Sequence, residues 1–292
     1  MKHLRAMAAV GAVCAVLAGC GGDGSSADDS DASAAPDASE GLDLDTLRVG
    51  NSPVYPPMSF LPEGDEDPAN RQGFDVDLAT AIADELGVGI TFEQQAYEQY
   101  LPSLSTGRLD LVHSAMQDLP DRRETVDFVD YYLTGPQLFT TSDRTDLGTL
   151  ADLCGGSVVL DTGDVGYRDA LTAAADEACQ GADPIEVVAA SGTADALIQL
   201  DQGRADATIR GAESVAYLMN EQEPGRYATV DEPLSQIPVG IAVAKDNPEL
   251  RDAVADALAT LVENGTYAEI GERWNLSDLL LDAVTVNGEP VG

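Results

Sequence analysis

The sequence predicts an α/β protein built from two lobes of similar topology, and two observations carry that expectation. From Leu44 onward the chain reads twice as strand–helix–strand–helix–strand. Each copy also contains the same phrase, Leu104-Ser-Thr-Gly-Arg-Leu-Asp110 in the first and Leu200-Asp-Gln-Gly-Arg-Ala-Asp206 in the second. Strands that alternate with helices form mostly parallel sheets covered on both faces. At 292 residues the chain is long enough for more than one core.

In the first copy, residues 46–50 read as a short strand, followed by a turn-rich loop with Pro53, Pro56 and Pro57. Residues 74–86 place Phe74, Leu78, Ile82 and Leu86 at helical spacing, and Gly87 supplies a left-handed end. Residues 88–93 form a strand, 97–106 a helix with Pro102 near its first turn, and 109–113 another strand. The second copy repeats this: a strand at 157–161, a helix at 167–179, a strand at 185–188, a helix at 193–202 and a strand at 206–209. Ligands of such sheets bind outside the carboxyl ends of the strands. The loops of interest are therefore 51–59 and 114–122 in one lobe, and 161–166 and 210–213 in the other.

The start of the chain has a different character. Lys2, His3 and Arg5 precede an apolar stretch of 12 residues from Ala6 to Leu17. A membrane-spanning helix needs about 20 residues, so residues 1–20 read as a secretory signal peptide. The stretch ends in Leu17-Ala18-Gly19-Cys20, which looks like a bacterial lipobox. Cys20 is thus expected to carry a lipid that anchors the protein to the extracytoplasmic face of the cell membrane. Residues 21–43, rich in Gly, Ser, Asp and Ala, read as a disordered, self-repelling tether. Of four cysteines, Cys14 leaves with the signal and Cys20 takes the lipid. Cys154 and Cys179 remain as the expected disulfide of an oxidising compartment.

The chain has 52 acidic against 15 basic residues, a net charge of −37, and only two lysines, Lys2 and Lys245. Such a balance excludes nucleic acid as a partner, because nothing could neutralise a run of phosphates. It speaks to solubility and steering rather than to fold. The two histidines, His3 and His113, and the absence of a Cys/His cluster give no metal site. No assembled nucleophile–base pair marks a catalytic residue, and no cofactor is expected; His113, at a strand end, reads as a core or cleft-wall residue.

Several segments in this order resemble the bacterial extracellular solute-binding proteins of family 3, the amino-acid-binding class serving ABC importers. They are Leu47-Arg-Val-Gly50, Tyr55-Pro-Pro-Met-Ser-Phe60, Gly73-Phe-Asp-Val-Asp-Leu78, Leu101-Pro-Ser-Leu104, Pro120-Asp-Arg-Arg-Glu-Thr-Val-Asp-Phe128, Val239-Gly-Ile-Ala-Val243 and Asn264-Gly-Thr-Tyr267. The cysteine pair and the final Val286-Asn-Gly288 look like actinobacterial members. The resemblance implies a two-lobe, type II periplasmic-binding-protein fold that closes like a Venus flytrap. Its hinge would have two crossings, near residues 135–137 and 238–240. Lobe 1 would comprise residues 44–136 and 240–285, lobe 2 residues 137–239, with 286–292 as a tail. The expected protein is a monomer that hands an amino acid to a membrane permease.

The resemblance also implies site residues. Arg122 falls where the family binds the ligand's α-carboxylate, a task suited to the planar guanidinium fork. Its neighbour Arg123 is expected to point elsewhere. Tyr55 and Tyr97 fall at aromatic contact positions, and Ser114, Ala115 and Gln117 at the carboxylate region. Gly163, Asp164 and Val165 match a loop that donates N–H groups at a helix start. Two positions depart from the pattern: Gly211 replaces the aspartate that usually holds the α-ammonium, and Ser52 replaces a second acid. A buried ammonium needs a carboxylate, for which Asp161, Asp164 and Glu213 are the candidates. Arg210 offers the opposite possibility, a second anionic group on the ligand. Two other readings of the scaffold are a small-acid dehydratase and a solute-sensing input module.

Overall fold

Strand–helix alternation produces two large sheets, beside a short hairpin of Val54–Tyr55 and Ser59–Phe60, in the computed structural model, which describes residues 44–161 and 164–291. The signal peptide, Cys20, the tether and Gly163 lie outside the described residues. In the first sheet Thr46–Gly50 pairs in parallel with Gly89–Glu93 on one side and Leu111–Val112 on the other. Ile237–Ala244, Val126–Thr134, Leu280–Val286 and Glu289–Pro290 then extend it with antiparallel neighbours. In the second sheet Ser157–Asp161 pairs in parallel with Glu186–Ala190 and Ala207–Gly211. Pro136–Thr141 and Tyr227–Val230 complete it in antiparallel fashion.

Helix Phe74–Glu85 buries Phe74, Leu78 and Ile82 on one face against Leu47 and Val49. Asp75 and Asp77 occupy its first turn, where the helix dipole favours negative charge. Helices Pro248–Glu263 and Thr266–Arg273 return to the same core through Val254, Leu258 and Ile270. The second sheet has its own core of Leu138, Leu153, Val158, Leu160, Leu171 and Ile209. Two cores on two sheets are what the repeated pattern predicts. One expected helix, 97–106, is divided: a 3-10 turn at Tyr97–Gln99 leads into helix Tyr100–Ser105.

The repeated phrase performs the same task in both lobes. Gly107 and Gly203 both turn the chain at φ +64°, a left-handed conformation that suits glycine. Each phrase then delivers an aspartate to the first parallel strand of its sheet. Asp110 Oδ2 accepts from Arg48 N at 2.7 Å, and Asp206 Oδ2 accepts from Ser157 N at 2.8 Å.

The chain leaves the first sheet at Gly135 and returns before Ile237. Ile237–Ala244 lies wholly in the first sheet, so the return precedes residues 238–240. The two passages touch: a Cβ on Gly135 would stand 1.8 Å from Ser235 O. Cys154 and Cys179 are disulfide-bonded with Cα atoms 5.5 Å apart, closing the ends of helix Val165–Ala178 and the turn Leu150–Leu153 onto each other.

Candidate functional site

A cavity of about 810 Å³ opens between the sheets, at the carboxyl ends of the parallel strands. Ser52 and Tyr55 reach it from the loop after Thr46–Gly50, and Gln94 to Tyr97 from the loop after Gly89–Glu93. Ser114, Ala115 and Gln117 follow Leu111–Val112, while Tyr132 and Thr134 stand on the long strand that leads to the crossing. The second lobe contributes Tyr167 and Glu213.

Glu213 is buried and is the one charged side chain among the described lining residues. Tyr55 Oη donates to its Oε1 and Thr134 Oγ1 to its Oε2, each at 2.5 Å. Tyr55 is 36% exposed as a residue, while its hydroxyl is held by Glu213 of the other lobe. Burial, then the Glu213 charge, pushes the Tyr55 hydroxyl well above its ordinary pKa. The same two causes raise Tyr167 to about 12.

Arg122 stands at the rim, half-buried, in the short turn Arg122–Glu124. Its Nη1 donates to Gln117 O at 2.8 Å, and its guanidinium lies 5.8 Å from the Tyr97 ring centroid, a cation–π distance. No carboxylate among the described residues forms an ion pair with it. Its neighbour Arg123 is engaged elsewhere, by a bidentate pair with buried Asp118 at 2.5 and 2.7 Å. Gln117 pairs with Val239 across a bridge bonded through Asp118 and Gly240, so its own N–H and C=O face away from that strand.

Beneath the cavity floor lies a buried polar group. Ala115, at φ +48°, turns its N–H inward to Asp75 Oδ2 (2.8 Å) and so does not offer it to the cavity. Asp75 Oδ1 accepts from Tyr131 Oη at 2.7 Å. His113 stacks edge-on against Tyr131 at 4.6 Å, and neither ring nitrogen has a hydrogen-bond partner. Burial lowers His113 to about 3 and raises Asp75 to about 7, the latter against the hydrogen bonds from Tyr131 and Ala115.

Residues 47–277 match the bacterial extracellular solute-binding proteins, family 3. The chain belongs to this family. Arginine-binding protein ArgT of Corynebacterium glutamicum is 30% identical over 251 residues, covering 84% of this chain and 79% of that protein. The L-cystine-binding protein TcyJ of Escherichia coli is 28% identical over 249 residues, covering 83% and 89%. Among solved structures, an ancestral cationic amino acid solute-binding protein is 31% identical with a TM-score of 0.65, covering 79% of this chain and 96% of that one. These relatives are binding proteins for amino acids.

Within this family-3 solute-binding protein, the three candidate acids occupy different places. Glu213 lines the main cavity, and Asp164 lines a neighbouring one of about 520 Å³ with Arg210 and Gly211. Asp161 ends its strand and lines neither. Val165 begins helix Val165–Ala178 and is exposed. Ser52 Oγ lies 2.6 Å from Tyr100 Oη and 3.1 Å from Gln95 O, so its hydroxyl is tied into the wall.

Gln94, Gln95, Tyr132, Thr134 and Tyr167 line the cavity without having been singled out in the sequence. Gln94 and Gln95 follow a parallel strand, so the strand-end rule applied to that loop finds them. Tyr167 stands one residue beyond the expected loop. Tyr132 and Thr134 had no local signal, because a crossing strand presents its residues to the cleft only once both lobes are in place.

Among the described residues no cluster of three His, Cys, Asp or Glu side chains is arranged to hold a metal ion. No helix among them is long and apolar enough to cross a membrane.

Proposed function

We propose that this protein is the substrate-binding component of an ABC importer, capturing an amino acid and passing it to a membrane permease. The observation that carries this reading is the pairing of opposite charges around one cavity. Arg122, without a carboxylate partner among the described residues, flanks it beside Gln117 and Tyr97, and Glu213 lines it from the other lobe. Arg122 binds the α-carboxylate through two parallel hydrogen bonds. Glu213 takes the α-ammonium in place of the aspartate missing at Gly211. Tyr55 and Tyr97 cover the ligand, Ser52, Ser114 and Gln117 meet its polar groups, and the helix start at Asp164 and Val165 closes over it.

In this reading lobe 1 carries the first sheet and lobe 2 the second, with the chain crossing out at Gly135 and returning before Ile237. Ligand contacts to both lobes favour the closed form, which docks on the permease. The protein acts as a monomer tethered through a lipid on Cys20, outside the cytoplasm. No chemistry is performed on the ligand.

A thermal-shift panel of amino acids, their des-amino carboxylates and amines lacking a carboxylate tests the reading. Ligand at 100 times its Kd stabilises by about 2.7 kcal/mol. Amino acids alone should respond, and Arg122→Ala or Glu213→Gln should abolish the response. Shifts with amines only would overturn the role of Arg122; shifts with des-amino acids would overturn that of Glu213.

A further inference from the structure

We propose that the cavity around Arg210 and Asp164 is a second head-group subsite, and that the ligand is an elongated bis(amino acid) with an α-ammonium and an α-carboxylate at each end. This rests on the reading of the main cavity as an amino-acid site and deepens it.

Arg210 is half-buried on strand Ala207–Gly211 and lines the 520 Å³ cavity together with Asp164, Thr193 and Tyr217. Its Nη2 donates to Thr193 O at 3.1 Å, and it forms no ion pair among the described residues. Arg48, Arg123, Arg144, Arg226, Arg251 and Arg273 each have a carboxylate partner, whereas among the described residues Arg71, Arg108, Arg122 and Arg204 share the unpaired state of Arg210. Of these, Arg122, the carboxylate anchor proposed for the main cavity, and Arg210 stand beside the two cavities.

Burial lowers the Arg210 pKa, so its surroundings do not fully compensate the guanidinium charge. Burial, then the Asp161 charge, raises the Asp164 pKa, and Arg210 opposes this without being in salt-bridge contact. A cation and an anion side by side in a cavity, each with capacity left over, match a zwitterionic α-amino-carboxylate in both charge and pattern. At the main cavity Glu213 lines the wall and Arg122 stands beside the lining residues Gln117 and Tyr97. Val54, Tyr55 and Tyr167 line both cavities, so the two are contiguous around one tyrosine pair. A one-headed amino acid in the main cavity would leave Arg210 without an anionic partner. A two-headed molecule serves both arginines at once.

Isothermal titration of the purified protein with L-cystathionine, which has two heads, and S-propyl-L-cysteine, which has one, tests the proposal. The two-headed ligand should bind at least tenfold more tightly. Arg210→Gln should remove most of that advantage while weakening the one-headed ligand less than threefold. Arg122→Ala should weaken both at least tenfold. Equal affinity for the two ligands, or an Arg210→Gln loss shared equally by both, would overturn the second subsite. If S-propyl-L-cysteine still bound in an Arg122-dependent way, the amino-acid reading would stand. Binding of neither molecule, nor of any amino acid in the thermal panel, would remove both.

Discussion

The carboxylate of Glu213 fills the space into which a side chain at position 211 would project. A Cβ on Gly211 would stand 2.6 Å from Glu213 Oε1 and 2.9 Å from the Tyr55 hydroxyl oxygen. A side chain at position 211 and the Glu213 carboxylate would therefore compete for one space. Glycine at 211 leaves that space to Glu213.

That coupling predicts the outcome of a double-mutant cycle. Gly211→Asp alone should weaken amino-acid binding by crowding Glu213, and Glu213→Ala alone by removing the anion, each by roughly 10- to 150-fold for a charged hydrogen bond. The double variant should recover affinity over both singles, with a coupling energy of about 1 kcal/mol or more. Additive losses in calorimetry would show that the two positions act separately.

Tyr55 belongs to the first lobe and Glu213 to the second, so their hydrogen bond joins the lobes. Tyr55→Phe removes the donor and leaves a buried carboxylate oxygen short of a partner, a cost of about 1–3 kcal/mol. The unliganded variant should shift toward the open form, read as a greater inter-lobe distance by resonance energy transfer. An unchanged distance would mean that the contact does not bear on closure.

His113 makes stability depend on acid. Its folded pKa is depressed to about 3 by burial, below the ordinary value of 6.5. Between those values the unfolded chain binds a proton that the folded one excludes, so this contribution is lost as pH falls from about 6.5 toward 3. Asp75, raised to about 7, acts oppositely: its protonated form favours folding, and that contribution fades as pH rises toward 7. His113→Leu should thus gain on the parent as pH falls. In urea titrations the gain should approach tenfold in the unfolding constant per pH unit below 6.5. A pH-independent difference would contradict the buried neutral histidine.

The Cys154–Cys179 bond spans a sequence separation of 25 and fastens helix Val165–Ala178 to the second core. In the chain-entropy account a loop of that size is worth about 3.5 kcal/mol. The double variant Cys154→Ser, Cys179→Ser should lose that order of stability, seen as a lower urea midpoint. A midpoint shift near zero would show the bond to be dispensable.

The two-lobed α/β order, the cysteine pairing and the family were determined by the sequence alone. Helical spacing from Phe74 to Ile82 and the Gly107 and Gly203 turns depend on residues a few places apart, so their pattern is written in the chain. Which acid faces the cleft was decided by tertiary structure. Asp161, Asp164 and Glu213 were equal candidates as letters, and only the packing of the lobes puts Glu213 against Tyr55, 158 residues away. Thr134 reaches the same carboxylate from a crossing strand 79 residues from it. A local pattern records what a segment must do to fold. A cleft between lobes is assembled from distant segments, so its electrostatics exist only once those segments meet.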